Sequence, residues 1–129
     1  MRLILSLAAV AALLFAPLSA RANTPTKTVT YRTSYHLIHP STSAGEYTGR
    51  LTLHFYAGGL VNGTYRDEFA GGFHPVSGGV TNGNQLWLSF GRQGRHQFTG
   101  TIGKDGSITG TLSNWRGPNT YAFTAVPAS

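Results

Sequence analysis

The chain has 129 residues, enough for one domain, with 10 Lys and Arg against 4 Asp and Glu, a formal net charge of +6, and no cysteine. The missing thiols exclude a disulfide framework, a thiolate metal site and a lipid-attachment cysteine. Four carboxylates leave little room for paired-acid catalysis, and 17 glycines beside many Tyr, Phe and Thr mark a β composition rather than a helical one.

The first 22 residues read as an export signal. Met1-Arg2 supplies the positive start, Leu3 to Leu18 an apolar run, and Ala20-Arg21-Ala22 a small-x-small cleavage site before Asn23. The run is 16 residues long, short of the roughly 20 that a spanning helix needs. The expected organisation is a signal peptide over 1–22 and a single β-barrel domain over 23–129, with a periplasmic or secreted location. Loss of Arg2 and Arg21 takes Lys and Arg from 10 to 8, and the charge from +6 to +4.

Beyond a polar lead-in, the period is two. From Thr28 to His39 the odd positions carry Val29, Tyr31, Thr33, Tyr35 and Leu37, the even ones Thr30, Arg32, Ser34 and His36. Tyr47, Gly49, Leu51, Leu53 and Phe55 repeat the rule in a second strand that ends at Gly58-Gly59. Leu60 to Arg66 follows as a third, with Val61, Gly63 and Tyr65 on one face. Phe69 to Val76 is a looser fourth in which Pro75 predicts an edge or a bend. A Gly-rich connection from Gly78 to Asn84 then leads to Leu86 to Phe90, and His96 to Ile102 places Phe98, Gly100 and Ile102 together. Asp105-Gly106 is a hairpin signal, followed by Ile108, Gly110 and Leu112, and the last strand runs from Tyr121 to Val126.

The prediction is therefore all-β: an antiparallel up-and-down meander of about eight strands, forming a closed or nearly closed small barrel. The run from Gly59 to Tyr65 aligns with that from Gly106 to Leu112, as two hairpins built on one recipe. Gly49, Gly63, Gly100 and Gly110 fall on the core faces by parity, which predicts strands that coil tightly. Phe55, Phe90, Phe98 and Phe123 share those faces. Tyr31, Tyr35, Tyr47 and Tyr65 are candidate ligand contacts, because a buried phenol needs a partner for its hydroxyl.

The segment Gly45-x-Tyr47, the Leu51-x-Leu53-x-Phe55 strand and Asn62-Gly63-Thr64-Tyr65-Arg66 together resemble calycin-type barrels, most nearly the opening hairpin strands of the avidins. Phe98-Thr99-Gly100 stands where that family carries Trp-Ser-Gly, Trp115 where it has a loop tryptophan, and Asn119-Thr120-Tyr121 where it has a late Asn or Asp before an aromatic residue. The resemblance spans roughly residues 45 to 126. It implies a small-ligand site at the barrel mouth and adds Phe98, Trp115 and Asn119 to the candidate contacts. The family's Trp-Lys pair has no counterpart, since Phe90-Gly91 occupies that region.

His36 and His39 point to opposite faces of one strand and cannot share a metal, whereas His36 and His54 share outward parity on consecutive strands. No metal and no cofactor is expected. Glycosidase chemistry needs two facing acids, and only Glu46 with Asp67 or Glu68 offers such a pair. Arg32, Arg50 and Arg66 share outward parity on three successive strands and, with Tyr56 and Trp87, form a candidate surface patch for an anionic surface. Nucleic acid is not an expected partner, because +4 is modest and no stacking motif is present.

Three functional readings follow: an exported, non-enzymatic barrel that binds a small ligand or an envelope partner; a structural or inhibitory interaction protein with a solid core; and a calycin-like cyclase or isomerase that uses a single buried acid. A homo-oligomer is compatible with each. An interior void favours the first, and exposure of Glu46, Asp67 and Glu68 together would remove the third.

Overall fold

The computed structural model describes residues 24–42, 45–69, 71–91, 94–114 and 117–128. Eight strands, β1 (Lys27–His39), β2 (Tyr47–Phe55), β3 (Leu60–Asp67), β4 (Gly72–Val80), β5 (Gln85–Phe90), β6 (His96–Ile102), β7 (Ile108–Asn114) and β8 (Thr120–Pro127), follow one another around a closed barrel. Each pairs antiparallel with its sequence neighbours, and β8 closes on β1, with Thr33 opposite Ala125. This is the all-β meander that the period-two pattern predicts, and its architecture is consistent with a calycin-like barrel. The expected leader lies outside the described residues. No described helix is long and apolar enough to cross a membrane.

The inward set is the one that parity selects. Leu51, Leu53, Val61, Leu88, Ile108 and Ala125 are fully buried, and Tyr31, Leu86, Phe98 and Phe123 nearly so. Burial of each of the leucine, valine, isoleucine and phenylalanine side chains stabilises the fold by about 1.5–3 kcal/mol. Gly100 and Gly110 face each other across β6 and β7. A Cβ on Gly110 would stand 2.6 Å from the Gly100 Cα and 2.8 Å from the Phe98 ring, so only glycine lets these strands curl over Phe98. The repeated segments also occupy matching places. Gly59 and Gly106 have φ of 91° and 84° in their turns, and Val61 and Ile108 then enter the core as the second residue of β3 and the first of β7.

Two sequence expectations change. The looser strand from Phe69 to Val76 is a full nine-residue β4 that starts at Gly72, and the Gly-rich connection shrinks to residues 81–84. Pro75 fits inside β4 because its carbonyl accepts from Gly91 N–H at 2.8 Å, just beyond the end of β5. A strand residue's N–H points to the same side as its carbonyl, so the missing donor faces the end of that ladder and not β3. Secondly, His54 sits opposite Thr28, whose hydroxyl lies 2.9 Å from His54 Nδ1, while His36 sits opposite Ala122. The two histidines do not meet.

Candidate functional site

The barrel is closed at one end and open at the other. The open end gathers the C-terminal halves of β1, β3, β5 and β7 with the N-terminal halves of the other four strands. There the inward positions change from aliphatic to aromatic and ionisable, and a cavity of about 470 Å³ opens between them. That volume lies within the range of small-molecule sites.

Phe90, Phe123 and Leu112 form its apolar floor. The Phe123 ring lies 6.1 Å from Phe90 and 5.2 Å from Phe98, which props it from below. Tyr35 and Tyr65 form the walls. Tyr65 meets Phe90 edge-on at 5.5 Å, and Tyr35 stacks on Tyr47 at 5.1 Å and meets Tyr121 edge-on at 5.4 Å. Interlocked rings of this kind hold a concave surface at low conformational cost.

Polar groups stand above this apolar bowl. Asp67, one inward step beyond Tyr65, accepts from the Tyr35 hydroxyl at 3.3 Å and, through its other oxygen, from Phe69 N–H at 2.9 Å. His74 stacks beside Tyr65 at 6.5 Å, and His96 and Arg95 complete the rim. Partial desolvation at the mouth lowers the His96 pKa, and the charges of His74 and Arg95 lower it further. His96 therefore stays neutral at neutral pH, able both to donate and to accept a hydrogen bond.

Tyr65 carries the most telling group. It is 6 % exposed, and its hydroxyl has no hydrogen-bond partner in good geometry among the described residues; nor has the buried Thr33 hydroxyl nearby. A side chain at Gly49 would collide with Tyr65 Oη, so that glycine makes room for the phenol. Burial pushes the Tyr65 pKa up to about 12, the carboxylates of Asp67 and Glu68 add to the rise, and the nearby Thr33 and Tyr35 hydroxyls moderate it. Tyr35 is raised further, first by burial and then by Tyr65 and Asp67. Both phenols are thus held as neutral donors. The Tyr65 hydroxyl itself is shielded from solvent beside Gly49, with the Thr33 and Tyr35 hydroxyls near it.

Of the seven candidate contacts, Tyr35 and Tyr65 line the cavity, and Tyr47 backs Tyr35 at the mouth. Tyr31, 2 % exposed, and Phe98 lie in the core beneath it. Asn119 donates to the Tyr121 hydroxyl at 3.4 Å in the β7–β8 connection, and Trp115 lies outside the described residues. Asp67, His74, Arg95 and His96 line the cavity in addition to the seven candidates. Parity could have found three of them, since Asp67, His74 and His96 are each two positions from an inward residue, Tyr65, Val76 and Phe98.

The five patch residues divide. Arg32, Arg50 and Arg66 stand directly opposite one another on the outer face. Tyr56 donates to Asn62 Oδ1 at 3.2 Å near the closed end, and Trp87 lies on the outside of β5 over Gly79. No cluster of three or more metal-ligating side chains occurs among the described residues. No family model matches this chain, and neither a curated protein nor a solved structure matches it.

Proposed function

We propose that this protein binds a small molecule in the open end of its barrel, without chemistry of its own. The ligand has an apolar body that rests on Phe90, Phe123 and Leu112 and a polar group that faces the rim of Asp67, His74 and His96. The observation that carries this reading is the cavity of about 470 Å³ itself, with an apolar floor under a rim of Asp67, His74, Arg95 and His96. The avidin-like segments agree with a ligand at the mouth, but the absent Trp-Lys pair argues for a ligand other than biotin. Export accompanies the reading: the protein works outside the cytoplasm, with a mature chain that starts at Asn23, a start that mass spectrometry of the isolated protein reads directly.

The binding test uses native mass spectrometry of the protein from its source, together with titration by the apolar dye anilinonaphthalene sulfonate. A co-purifying small molecule, or one dye per barrel that is displaced when Phe90→Trp fills the floor, is the expected result. A bare chain that takes up no dye would overturn the proposal.

A second reading has one observation in its favour. Asp67 is half-buried on the cavity wall, whereas Glu46 and Glu68 are exposed, so a single-acid cyclase or isomerase has its acid. Under that reading Asp67→Asn keeps ligand affinity and abolishes turnover. Loss of affinity in Asp67→Asn makes the carboxylate a binding group instead.

A further inference from the structure

One transverse row crosses the outside of five strands. Val126 stands opposite Arg32, Arg32 opposite Arg50, Arg50 opposite Arg66, and Arg66 opposite Phe73. All five are exposed. Three guanidinium groups therefore rise from neighbouring strands spaced about 4.8 Å apart. Like charges directly opposite one another destabilise a sheet, and none of the three makes an ion pair among the described residues. Glu68 borders the same shallow depression as Arg32 and Arg50, which leaves the row strongly cationic. The flanking rows offer hydroxyls, from Thr30, Thr52 and Thr64 on one side and Ser34, Thr48 and Thr124 on the other.

The row slants toward the mouth of the barrel, because Arg66 is the last residue but one of β3 and Phe73 the second of β4. The turn between them carries Phe69. Phe69 and Phe73 are 80 % and 72 % exposed, the most exposed large apolar side chains among the described residues. Phe73 lies under the Arg66 guanidinium at 5.5 Å, and Phe69 meets Tyr47 edge-on at the rim of the cavity.

Cationic charge alone would suit a soluble polyanion as well as a lipid surface. The two phenylalanines decide between them, since a polyanion gives them nothing to enter, whereas a bilayer offers an apolar layer just beneath its phosphates. A second apolar patch, Leu60 and Trp87 across Gly79, has no cation in its row, and charge complementarity therefore selects the mouth end. We infer that this face docks on a bilayer rich in anionic phospholipid. Phe69 and Phe73 enter the boundary between headgroups and acyl chains, Arg32, Arg50 and Arg66 fork onto phosphates, and the cavity mouth turns toward the lipid. This docking is separate from ligand binding in the cavity, and the two fail independently.

The test is sedimentation with vesicles of phosphatidylcholine mixed with phosphatidylglycerol, against vesicles of phosphatidylcholine alone. The chain from Asn23 serves, because β1 to β8 close on one another within residues 27–127. Binding to the anionic vesicles only, weakened by salt, is expected. Arg32→Gln, Arg50→Gln and Arg66→Gln together lower it about a hundredfold, the three Lys replacements, which keep the charge and lose the fork, lower it less, and Phe69→Ser with Phe73→Ser lowers it about tenfold or more. Leu60→Ser and Trp87→Ser leave it unchanged. Retention on heparin without vesicle binding, equal binding to both vesicle types, or a triple Gln variant that binds like its parent overturns the proposal. Leu60→Ser and Trp87→Ser costing as much as the Phe variants would overturn the mouth-down orientation.

Discussion

At the end where β2 turns into β3, Leu53, Phe55, Val61, Leu86 and Ile108 fill the barrel, and the described turns are four or five residues long. At the other end the same strands present Tyr35, Tyr65, Asp67, His74 and His96 to a cavity. Backbone pairing runs from one end to the other, with a register shift between Leu37 and His39 where β1 meets β8, and inward and outward residues alternate along most of each strand. Only the identity of the inward residues changes. Aliphatic side chains interdigitate into a solid plug, whereas rings braced edge to face stop short of the axis and leave a bowl. One sheet thus supplies a stabilising half and a receptive half.

The largest effect that tests this contrast is a truncation at each end. Leu53→Ala is expected to cost about 3 kcal/mol in denaturant unfolding, because the plug cannot collapse around the hole. Leu112→Ala, on the cavity floor that already faces open space, should cost clearly less. Equal costs would break the comparison.

Next is the alkaline titration. The folded state holds Tyr31, Tyr35 and Tyr65 neutral, with Tyr65 at about 12, whereas the unfolded chain ionises them near the ordinary value of about 10. The contribution is fully present below that value and is lost as the pH rises through the folded pKa values. Ultraviolet absorbance should show these phenols silent until unfolding begins, and phenolate formation in all tyrosines near pH 10 with the fold intact would contradict the buried wall.

Tyr65→Phe sharpens the comparison at smaller cost. Removal of a hydroxyl that is shielded from solvent beside Gly49 should leave stability within about 1 kcal/mol of the parent and dye affinity close to the parent's. A large loss of stability would show that the hydroxyl holds Thr33 or Tyr35 in place, and a large change in affinity that it reaches the ligand.

The smallest expected effect is at acid pH. The folded pKa of His96 lies below its ordinary 6.5, so the unfolded state takes up the proton first. Stability is unaffected above that value and declines as the pH falls through it toward the lower folded pKa. His96→Gln should flatten the decline in thermal melts between pH 7 and 5 by an amount that identical slopes would disprove.

Much of this was legible in the residues. A side-chain period of two is a property of the extended backbone, and it located seven strands nearly to their ends. β4 was the exception: Pro75 and Gly78-Gly79 carry the local marks of a break, and the neighbouring strands override them. Gly78 lies against the β5 backbone, where any side chain would clash. The site was only half legible. Tyr35 and Tyr65 came from the need to satisfy buried phenols, but Tyr31 has the same parity and chemistry and lies in the plug region below. Position along the strand separates them, and position depends on register.

The arginines show the same division. Outward parity for Arg32, Arg50 and Arg66 is written in the spacing of each strand alone, yet only pairing sets them opposite one another and next to Phe73. By itself, then, the sequence determined a cysteine-free β meander and the set of residues that face inward. The tertiary structure decided which end is plugged and which is open, and it brought Tyr35, Tyr65, Asp67, His74 and His96 to one mouth. Alternation is a local consequence of backbone geometry, whereas register and closure depend on every strand at once.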